Sequence, residues 1–450
     1  MADRDWTYPA LQAFLHSTRT RALVRSEIEA MLAPTARLLV CRWRRVKSAP
    51  HERLTVWLDA TVACGSATTV RPVAIDWTSG AVGSLTFSEH DLEAAARLGA
   101  RAVSAPFTDL VRLGAVTVRV SPFDPAFPSL ARLLDPELAP ADLYGLANTQ
   151  REVTTVRYRP NERHVLRFDS TTHRGGSRFA KLDRPGHGAK RAGDAERFAR
   201  AVNGAGLLVV TPLGVVDDAV VYPSTGGIPL SSLDPRDRQS TSAWLRRAGR
   251  ALAQVHGASG DVAGAEHTVE HELLIATRAV RHLSALVIEW RTAIGELLGR
   301  LQALSLNVDP ARATILHGDV KLDHLHRRRA ELLMIDIDRA GHGEASLDVG
   351  NLLADVRWWG RAQPEQVTDM AISDVLVGYD GSPVASLRTR LVEAIGLLRI
   401  AGRRPRLNRS NWREETAGLL MAVDDLVARL EREVGSSADQ AISRSAFRPH

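Results

Sequence analysis

The stretch ILHGDVKLDHLHRRR, Ile315–Arg329, decides how the fold of this chain is interpreted. It places three histidines, two aspartates and a lysine directly behind an apolar run. Side chains of these types, so close together, are compatible with a catalytic loop, a metal-binding cluster or a charged turn without a chemical role. The sequence on either side has to distinguish these three interpretations.

Two apolar segments surround the polar part of this stretch. ATILHGDV (313–320) ends one strand-like run, and ELLMIDID (331–338) is a second, with a polar turn-forming segment between them. Two such runs can pair as a hairpin, which places their polar ends at one edge. The sequence therefore predicts that Asp319, His324 and Asp336 lie close together.

Phosphoryl transfer requires a group of this kind. A carboxylate orients the attacking hydroxyl and accepts its proton, and further ligands hold magnesium against the nucleotide phosphates. A zinc hydrolase would instead carry a motif such as H-E-x-x-H, whereas here only His324 and His326 form a short H-x-H pair. The spacing favours phosphoryl transfer over a zinc site.

The motif resembles that of a known group of enzymes. Protein kinases carry H-R-D-x-K-x-x-N followed by D-F-G, and the aminoglycoside phosphotransferase and choline kinase-like families carry H-G-D-x-x-x-x-N followed by an I-D segment. Here HGDVKLDH (317–324) is followed by IDID (335–338). The chain resembles an aminoglycoside phosphotransferase-type small-molecule kinase over about residues 150 to 430.

The resemblance implies a role for each residue of the motif. Asp319 is the expected catalytic base, Lys321 a phosphate contact and Asp336 the main magnesium ligand. Asp348, at the start of the next helix, is expected to brace the loop. His317 is expected to be a scaffold residue that hydrogen-bonds to the backbone.

One position departs from the pattern of the family. His324 stands where the family has an asparagine, and magnesium prefers oxygen to a ring nitrogen. Either His324 still binds the metal, directly or through water, or Asp338 or Asp323 supplies the second ligand, or metal binding is weakened. The sequence leaves these possibilities open.

The resemblance also assigns residues upstream of the motif. Lys181, in RFAKL, stands where the family keeps the lysine that contacts the α- and β-phosphates of ATP. Glu196, on a predicted helix, would be its ion-pair partner. The segment 219–233, AVVYPSTGGIPLSSL, resembles the hinge whose backbone hydrogen-bonds the adenine, and it includes Tyr222. Lys181 and Lys321 are two of only four lysines in the chain.

The expected fold class is α+β, a bilobal protein kinase-like fold preceded by a small α+β cap domain. Residues 1–135 would form the cap, 136–228 a strand-rich N-lobe and 229–450 a helical C-lobe that carries the catalytic loop and the acceptor site. In the cap we expect a helical opening, alternating strands, a helix over 88–103 and a strand over 115–120. Antiparallel strands are expected between 154 and 182.

The composition is that of a globular protein with more than one packed unit. The chain has 450 residues, of which 44% are hydrophobic. Its two cysteines, Cys41 and Cys64, exclude a disulfide framework and a thiolate metal site. We expect a cytoplasmic protein, because no segment is apolar enough for a signal peptide or a membrane span.

The basic charge does not by itself indicate a nucleic-acid partner. The formal net charge is +6 and the isoelectric point is near 9.7. The arginines alternate with acids along the chain, however, and only 5% of the residues are aromatic. We therefore expect a nucleotide and a small polar, hydroxyl-bearing substrate as partners, and neither nucleic acid nor membrane.

The predicted reaction is ATP-dependent phosphorylation of a hydroxyl on a sugar, an aminoglycoside or a related metabolite, with ATP and Mg²⁺ as cofactors. The acceptor is expected over the helical lobe, lined by acids of the C-terminal helices. Two alternatives stay open. One is a catalytically silent kinase fold that binds a nucleotide or a partner, motivated by His324 and the glycine-poor turn RPNERH (159–164). The other is a metal-dependent hydrolase that uses the His and Asp cluster. The sequence distinguishes neither ATP from GTP nor one oligomeric state from another.

Overall fold

The structure is a computed structural model, and it describes most of the chain. The described residues are 8–49, 53–78, 107–108, 115–120, 129–135, 151–159, 162–170, 176–183, 186–204, 206–260 and 262–434, with the isolated residues 89, 93, 96, 124, 127 and 143. The helix predicted over 88–103 lies outside the described segments.

The chain divides into two compact units. The first comprises Met1–Ala192, Pro212–Ser224 and Arg406–Ser410, and the second comprises Gly193–Thr211, Thr225–Pro405 and Asn411–His450. The crossing at 224/225 falls inside the segment 219–233 that was predicted to be a hinge. The proposed domain boundaries at 135/136 and 228/229 stay predictions.

The first unit begins with helices α1 (Tyr8–His16) and α2 (Thr18–Ala30). An antiparallel sheet of order β1–β2–β3–β5–β4 follows. Its strands are β1 (Ala36–Ala49), β2 (Arg53–Cys64), β3 (Ala67–Thr78), β4 (Phe107–Thr108) and β5 (Ala115–Val120). Every second residue of β2 from Leu54 to Val62 is a buried aliphatic side chain, since successive side chains of a strand point to opposite faces. The helical opening and the strands predicted from alternation are confirmed.

A short helix, α3 (Leu130–Leu134), precedes a second antiparallel sheet in the first unit. The order of this sheet is β10–β11–β8–β7–β6. Its strands are β6 (Arg151–Arg159), β7 (Arg163–Ser170), β8 (Arg178–Leu182), β10 (Gly214–Val216) and β11 (Ala219–Pro223). Ala74 from β3 and Phe168 from β7 belong to one buried apolar cluster, so the two sheets share a core. The antiparallel strands predicted between 154 and 182 are confirmed.

Helices dominate the second unit. Helix α4 (Gly188–Val202) begins in the first unit and ends in the second. The other helices are α5 (Arg238–Gly257), α6 (Val269–Leu286), α7 (Arg291–Asn307), α8 (Ala345–Gly360), α9 (Glu365–Asp380), α10 (Leu387–Arg403) and α11 (Trp412–Val434). In the part of the chain that the structure describes, no helix combines the length and the apolarity needed to cross a membrane.

Two small sheets lie among these helices. One has the order β12–β15–β16–β9 and the other the order β13–β17–β14. Their strands are β9 (Leu207–Val209), β12 (Ile228–Pro229), β13 (Ala265–His267), β14 (Ala313–Leu316), β15 (Leu325–Arg328), β16 (Glu331–Met334) and β17 (Gly341–Glu344). Strands β14, β15, β16 and β17 lie in and beside the segment 313–338, where the sequence predicts two strand-like runs, whereas β9, β12 and β13 lie earlier in the chain.

Helix α9 has a weak helical signal in its own sequence. Its sequence, EQVTDMAISDVLVGYD, is rich in β-branched residues, which lowers its intrinsic helix propensity. Close packing against α5 stabilises it instead. A Cβ added to Gly249 of α5 would lie 2.0 Å from the carbonyl oxygen of Val375, and one added to Gly378 would lie 2.1 Å from that of Arg246. Glycine on both sides lets the two backbones approach.

Candidate active site

The two apolar segments around the motif lie in different sheets. β14 pairs with β17, whereas β16 pairs with β15 and β9. The predicted hairpin between 313–320 and 331–338 is therefore wrong. Residues Leu325–Arg328 form the partner strand instead, because a tight turn with Arg329 at a positive φ of 52° connects them directly to β16.

The structure nevertheless brings together the three residues that the sequence singled out. One ligand atom each from Asp319, His324 and Asp336 lie within 4.8 Å of one another. His324 Nε2 is 3.2 Å from Asp336 Oδ2, and Lys321 Nζ is 3.3 Å from Asp319 Oδ2. The loop after β14 and the end of β16 therefore contribute to one polar cluster.

A buried carboxylate braces the loop from the first turn of α8. Asp348 accepts hydrogen bonds from the backbone N–H groups of His317 (2.7 Å) and Gly318 (2.9 Å). His256 Nε2 lies 3.4 Å from the same carboxylate. Burial raises the pKa of Asp348, but the hydrogen bond from His256 and the other contacts outweigh it, so the net shift is downward. The expectation that Asp348 braces the loop is confirmed.

The hydrogen bonds of His317 define its tautomer. Its Nε2 donates to the carbonyl oxygen of Ile335 (3.0 Å), and its Nδ1 accepts from the backbone N–H of Asp319 (3.3 Å). Burial lowers the pKa of this histidine, and the neighbouring His324 lowers it further. His317 is therefore a neutral scaffold that ties the catalytic loop to the end of β16, as predicted.

Gly318 allows the loop to turn beneath the segment after β16. Its φ is +78°, in the left-handed region that L side chains rarely adopt. A Cβ at this position would lie 2.0 Å from the carbonyl oxygen of Arg339. The backbone can reach this conformation only with glycine between His317 and Asp319.

The charges around Asp319 keep it ionised. Burial alone would raise its pKa, but Lys321 first, then His324 and Arg399, lower it to about 2. A carboxylate of this kind accepts a hydrogen bond from a hydroxyl near neutral pH. It suits a reaction in which the proton moves late, as in a loose phosphoryl-transfer transition state.

Comparison with known families decides the class of this site. Residues 155–381 match the model of the phosphotransferase enzyme family. The chain belongs to the phosphotransferase enzyme family. This phosphotransferase therefore has the predicted fold class, a mixed helix and strand fold with a strand-rich unit and a helical unit. No curated protein matches the sequence significantly.

Solved structures resemble the phosphotransferase only distantly. Among them is a choline/ethanolamine kinase family protein from Mesorhizobium loti, with 14% identity and a TM-score of 0.46 over 66% of this chain and 96% of that one. Amicoumacin kinase hAmiN, in complex with AMP-PNP, Ca²⁺ and Ami, has 17% identity and a TM-score of 0.45 over 63% and 90%. Macrolide 2'-phosphotransferase MphH from Brachybacterium faecium has 16% identity and a TM-score of 0.41 over 64% and 97%. Likenesses at this level are no guide to the substrate.

A second acid of α8 holds the catalytic loop of the phosphotransferase, and the sequence analysis missed it. Asp355 accepts a hydrogen bond from the backbone N–H of Leu322 (2.8 Å), and Arg404 pairs with its other oxygen. Asp355 follows Asp348 by seven residues, which is about two helical turns, so both carboxylates lie on one face of the helix. That spacing is the signal that could have found it.

The donor set of the cluster fits a divalent cation. Asp319 and Asp336 offer oxygen, which hard cations prefer, and His324 offers nitrogen, which first-row transition metals also accept. His324 is buried, and its Nδ1 has no hydrogen-bond partner within the described parts of the chain. The imidazole therefore contacts the cluster through Nε2, which faces Asp336.

The sequence also offered Asp338 and Asp323 as possible metal ligands. Asp338 is not among the residues that the described part of the chain gathers within 4.8 Å. Asp323 accepts a hydrogen bond from Ser231 instead. Neither aspartate belongs to the group formed by Asp319, His324 and Asp336, and a metal-binding role for either stays a prediction.

The predicted nucleotide-binding residues occupy well-defined elements. Lys181 is buried on β8, where it pairs with Val165 of β7 and Val220 of β11. Tyr222 follows on β11, and Glu196 is exposed on α4. Their roles toward a nucleotide stay predictions.

Basic side chains, rather than acids, approach Asp319 from the C-terminal helices. Arg399 of α10 lowers the pKa of Asp319, and the field of Asp319 reaches Arg403 in turn. Four acids of α10 and α11 pair with arginines: Glu393 with Arg357, Asp424 and Glu431 with Arg300, and Glu433 with Arg390. The acid-lined acceptor site stays a prediction.

Proposed function

We propose that this phosphotransferase transfers the γ-phosphoryl group of ATP to a hydroxyl of a small polar molecule, with Asp319 as the base. The observation that carries this proposal is the polar cluster, in which the braced loop holds Asp319, Lys321 and His324 next to Asp336 at the end of β16. The reaction class follows from membership of the phosphotransferase enzyme family, and the proposed catalytic residues are those of the loop. A cytoplasmic location stays a prediction.

Each bond change of the proposed reaction can be assigned. The acceptor oxygen forms a bond to the γ-phosphorus, the bond between that phosphorus and ADP breaks, and the hydroxyl proton passes to an Oδ atom of Asp319. Lys321, beside this carboxylate, places a positive charge where the transferred group becomes most negative. Asp348 and His317 hold both residues in place through the backbone.

The nucleotide and the cation are assigned to further residues. Asp336 and His324 would hold a divalent cation, which, when bound, neutralises charge on the phosphate oxygens. Lys181 would contact the α- and β-phosphates, Glu196 would orient Lys181, and the backbone around Tyr222 would recognise the base. These assignments rest on the family pattern and on the positions of the residues.

Replacing the base tests the proposal directly. Asp319→Asn keeps the shape of the side chain but cannot accept the proton, so kcat should fall by about 100-fold or more while nucleotide binding persists. Turnover is measured as ADP release with ATP, Mg²⁺ and a panel of acceptors. The matched control is Asp323→Asn, which changes an acid of the same loop that bonds to Ser231. An unchanged rate in Asp319→Asn would show that Asp319 is not the base.

A catalytically silent fold is the alternative that His324 favours. Nucleotide binding without turnover on any acceptor would support it. Zinc that resists chelation would instead indicate a metal-dependent hydrolase. The same purified protein distinguishes all three outcomes.

A further inference from the structure

Two polar side chains of α5 and α9 meet next to Asp348, the acid that braces the catalytic loop. They are His256, near the end of α5, and Tyr379, near the end of α9. The hydroxyl of Tyr379 lies 2.9 Å from His256 Nδ1, and the two rings meet edge to face with their centroids 5.5 Å apart. The proposed chemistry gives Tyr379 no part.

The packing of α5 against α9 fixes where these side chains meet. A Cβ added to Gly249 of α5 would lie 2.7 Å from the backbone nitrogen of Tyr379. His256 follows Gly249 by seven residues, about two helical turns, so both lie on the face of α5 that meets α9. Arg246, on the turn before Gly249, pairs with Asp374 of α9 at 3.0 Å. The backbones of two packed helices therefore set the position of Tyr379 relative to His256.

The contacts of His256 define one orientation for its imidazole. The pKa of Asp348 lies below its usual value, so at neutral pH this carboxylate offers only acceptor oxygens. His256 Nε2, 3.4 Å from Asp348 Oδ2, must therefore carry the proton of that contact. Nδ1 then faces the hydroxyl of Tyr379, which can donate to a neutral imidazole or accept from a protonated one. In either charge state, the Tyr379 hydroxyl keeps Nε2 directed at Asp348.

Burial gives this orientation its weight. The side chain of His256 is 5% exposed and that of Asp348 is 0% exposed, so water has little access to replace a lost contact. Burial also raises the pKa of Tyr379, so its hydroxyl keeps the proton at neutral pH. Without that hydroxyl, the imidazole would lose the contact that fixes its Nδ1 edge.

The carboxylate that His256 faces also holds the backbone in front of Asp319. Its Oδ2 accepts from the N–H of His317 at 2.7 Å, and its Oδ1 accepts from the N–H of Gly318 at 2.9 Å. The hydroxyl of Thr314 donates to the carbonyl oxygen of His256, which ties the end of α5 to β14, the strand that leads into the loop. Hydrogen bonds therefore connect Tyr379, through His256 and the brace, to the residues that precede Asp319.

We propose that Tyr379 is a positioning residue of this phosphotransferase, whose hydroxyl orients His256 toward Asp348 and so holds the loop that carries Asp319. It acts through His256 and Asp348 and not on the reacting atoms. The expected effect on catalysis rests on the proposed function, whereas the effect on the loop can be measured without turnover.

Tyr379→Phe tests the proposal, because it removes the hydroxyl and keeps the ring. Hydrogen–deuterium exchange of the full chain at pH 7, followed in peptides that cover residues 317–319, reports how firmly the backbone N–H groups of the loop are held. Exchange in these peptides should become about tenfold faster while urea denaturation still shows a folded protein. With ATP, Mg²⁺ and an accepted substrate, kcat should fall about tenfold while the KM for ATP stays within about twofold of the wild type.

Tyr158→Phe is the matched control for a general loss of stability. Tyr158 is buried in the first unit, and its hydroxyl donates to Asp124 Oδ2 at 2.7 Å. The control removes the same atom and the same kind of hydrogen bond, so exchange at 317–319 should stay at the wild-type rate. Unchanged exchange in Tyr379→Phe, or equally faster exchange in both variants, would overturn the proposal. Faster exchange in Tyr379→Phe with an unchanged kcat would also overturn it, because the loop would then move without effect on the reaction.

A double variant tests whether Tyr379 acts through the brace. If it does, Tyr379→Phe should add little to the faster exchange that Asp348→Asn causes by itself. Fully additive effects would show that Tyr379 acts by another route, and the proposal would fail. Faster exchange in Tyr379→Phe alone, combined with a wild type that turns over ATP with no acceptor, would count against the proposed function and still support the hold of Tyr379 on the loop.

Discussion

His324 is the residue at which this phosphotransferase departs most from the pattern of its family. Its Nε2 lies 3.2 Å from Asp336 Oδ2, and its buried Nδ1 has no hydrogen-bond partner among the described residues. An asparagine at this position would offer an oxygen to a hard cation, whereas the imidazole offers a nitrogen. Affinity for imidazole rises from Mn²⁺ to the later transition metals, and magnesium gains little from it.

The choice of cation should therefore change with this residue. We expect His324→Asn to reduce the preference for Mn²⁺ over Mg²⁺ about tenfold, because the nitrogen donor is replaced by an oxygen donor. Binding of Mn²⁺ to the protein with ADP, followed by electron paramagnetic resonance and competed with Mg²⁺, measures the preference without turnover. His326→Asn is the control, since His326 bonds to Thr225 outside the cluster. An unchanged preference in His324→Asn would remove His324 from the metal site.

At the scale of the element, α8 organises the catalytic loop. Its first turn presents Asp348 to the backbone of His317 and Gly318, and two turns later Asp355 accepts from Leu322. The helix therefore holds the loop at both ends, before and after Asp319. An element that is continuous and buried positions Asp319 more rigidly than the loop could by itself.

Removal of one brace should loosen the loop in a pH-dependent way. Asp348→Asn replaces one acceptor oxygen with an amide donor, so one buried N–H loses its partner at a cost of about 1–3 kcal/mol in unfolding free energy. The folded pKa of Asp348 lies below its usual value, so the stability it contributes is present above roughly pH 4 and is lost as the pH falls below that value.

Urea denaturation of the wild type and of Asp348→Asn at pH 7 and pH 3 measures the free energy of unfolding of each. The wild type should exceed the variant by the largest amount at pH 7 and by a smaller amount at pH 3. Asp380→Asn serves as the control, since Asp380 ends α9 and accepts a hydrogen bond from the backbone N–H of Ser382. A difference that stays constant with pH would mean that the ionised carboxylate is not what braces the loop.

At the scale of the whole molecule, the chain uses lysine sparingly and keeps two of its four lysines at predicted phosphate contacts. Lys321 belongs to the helical unit and stands beside Asp319, and Lys181 belongs to the strand-rich unit and is buried on β8. If the phosphates of ATP contact Lys181, binding of ATP should raise the free energy of unfolding of the protein.

Thermal unfolding with and without ATP tests the role of Lys181. A nucleotide at 100 times its Kd should stabilise the native protein by about 2.7 kcal/mol, which raises the Tm by a few degrees. Lys181→Met should abolish most of this rise because the phosphates lose a positive charge. Lys190→Met, at an exposed lysine on α4, should keep it. An equal rise in Lys181→Met and the wild type would contradict the assignment.

Local pattern was enough to determine most of the elements and the reaction class. Alternation along β2 and the H-G-D motif before I-D each depend on residues near one another in the chain, so a single sequence carries them. The proximity of Asp319, His324 and Asp336 was predicted correctly, although the hairpin between 313–320 and 331–338 from which it was predicted was wrong. The strand partner of β16 is the segment just before it, and this follows from the turn at Arg329.

Only the tertiary structure decided which distant charged residues meet. Arg339, Arg399 and Glu272 are far apart in sequence and meet because α6, α10 and the segment after β16 pack together. Helix α9 likewise forms where Gly249 and Gly378 let two backbones approach, against its own modest propensity. Short-range pattern thus determined the reaction class, and long-range packing decided which charged side chains of distant segments meet in the helical unit.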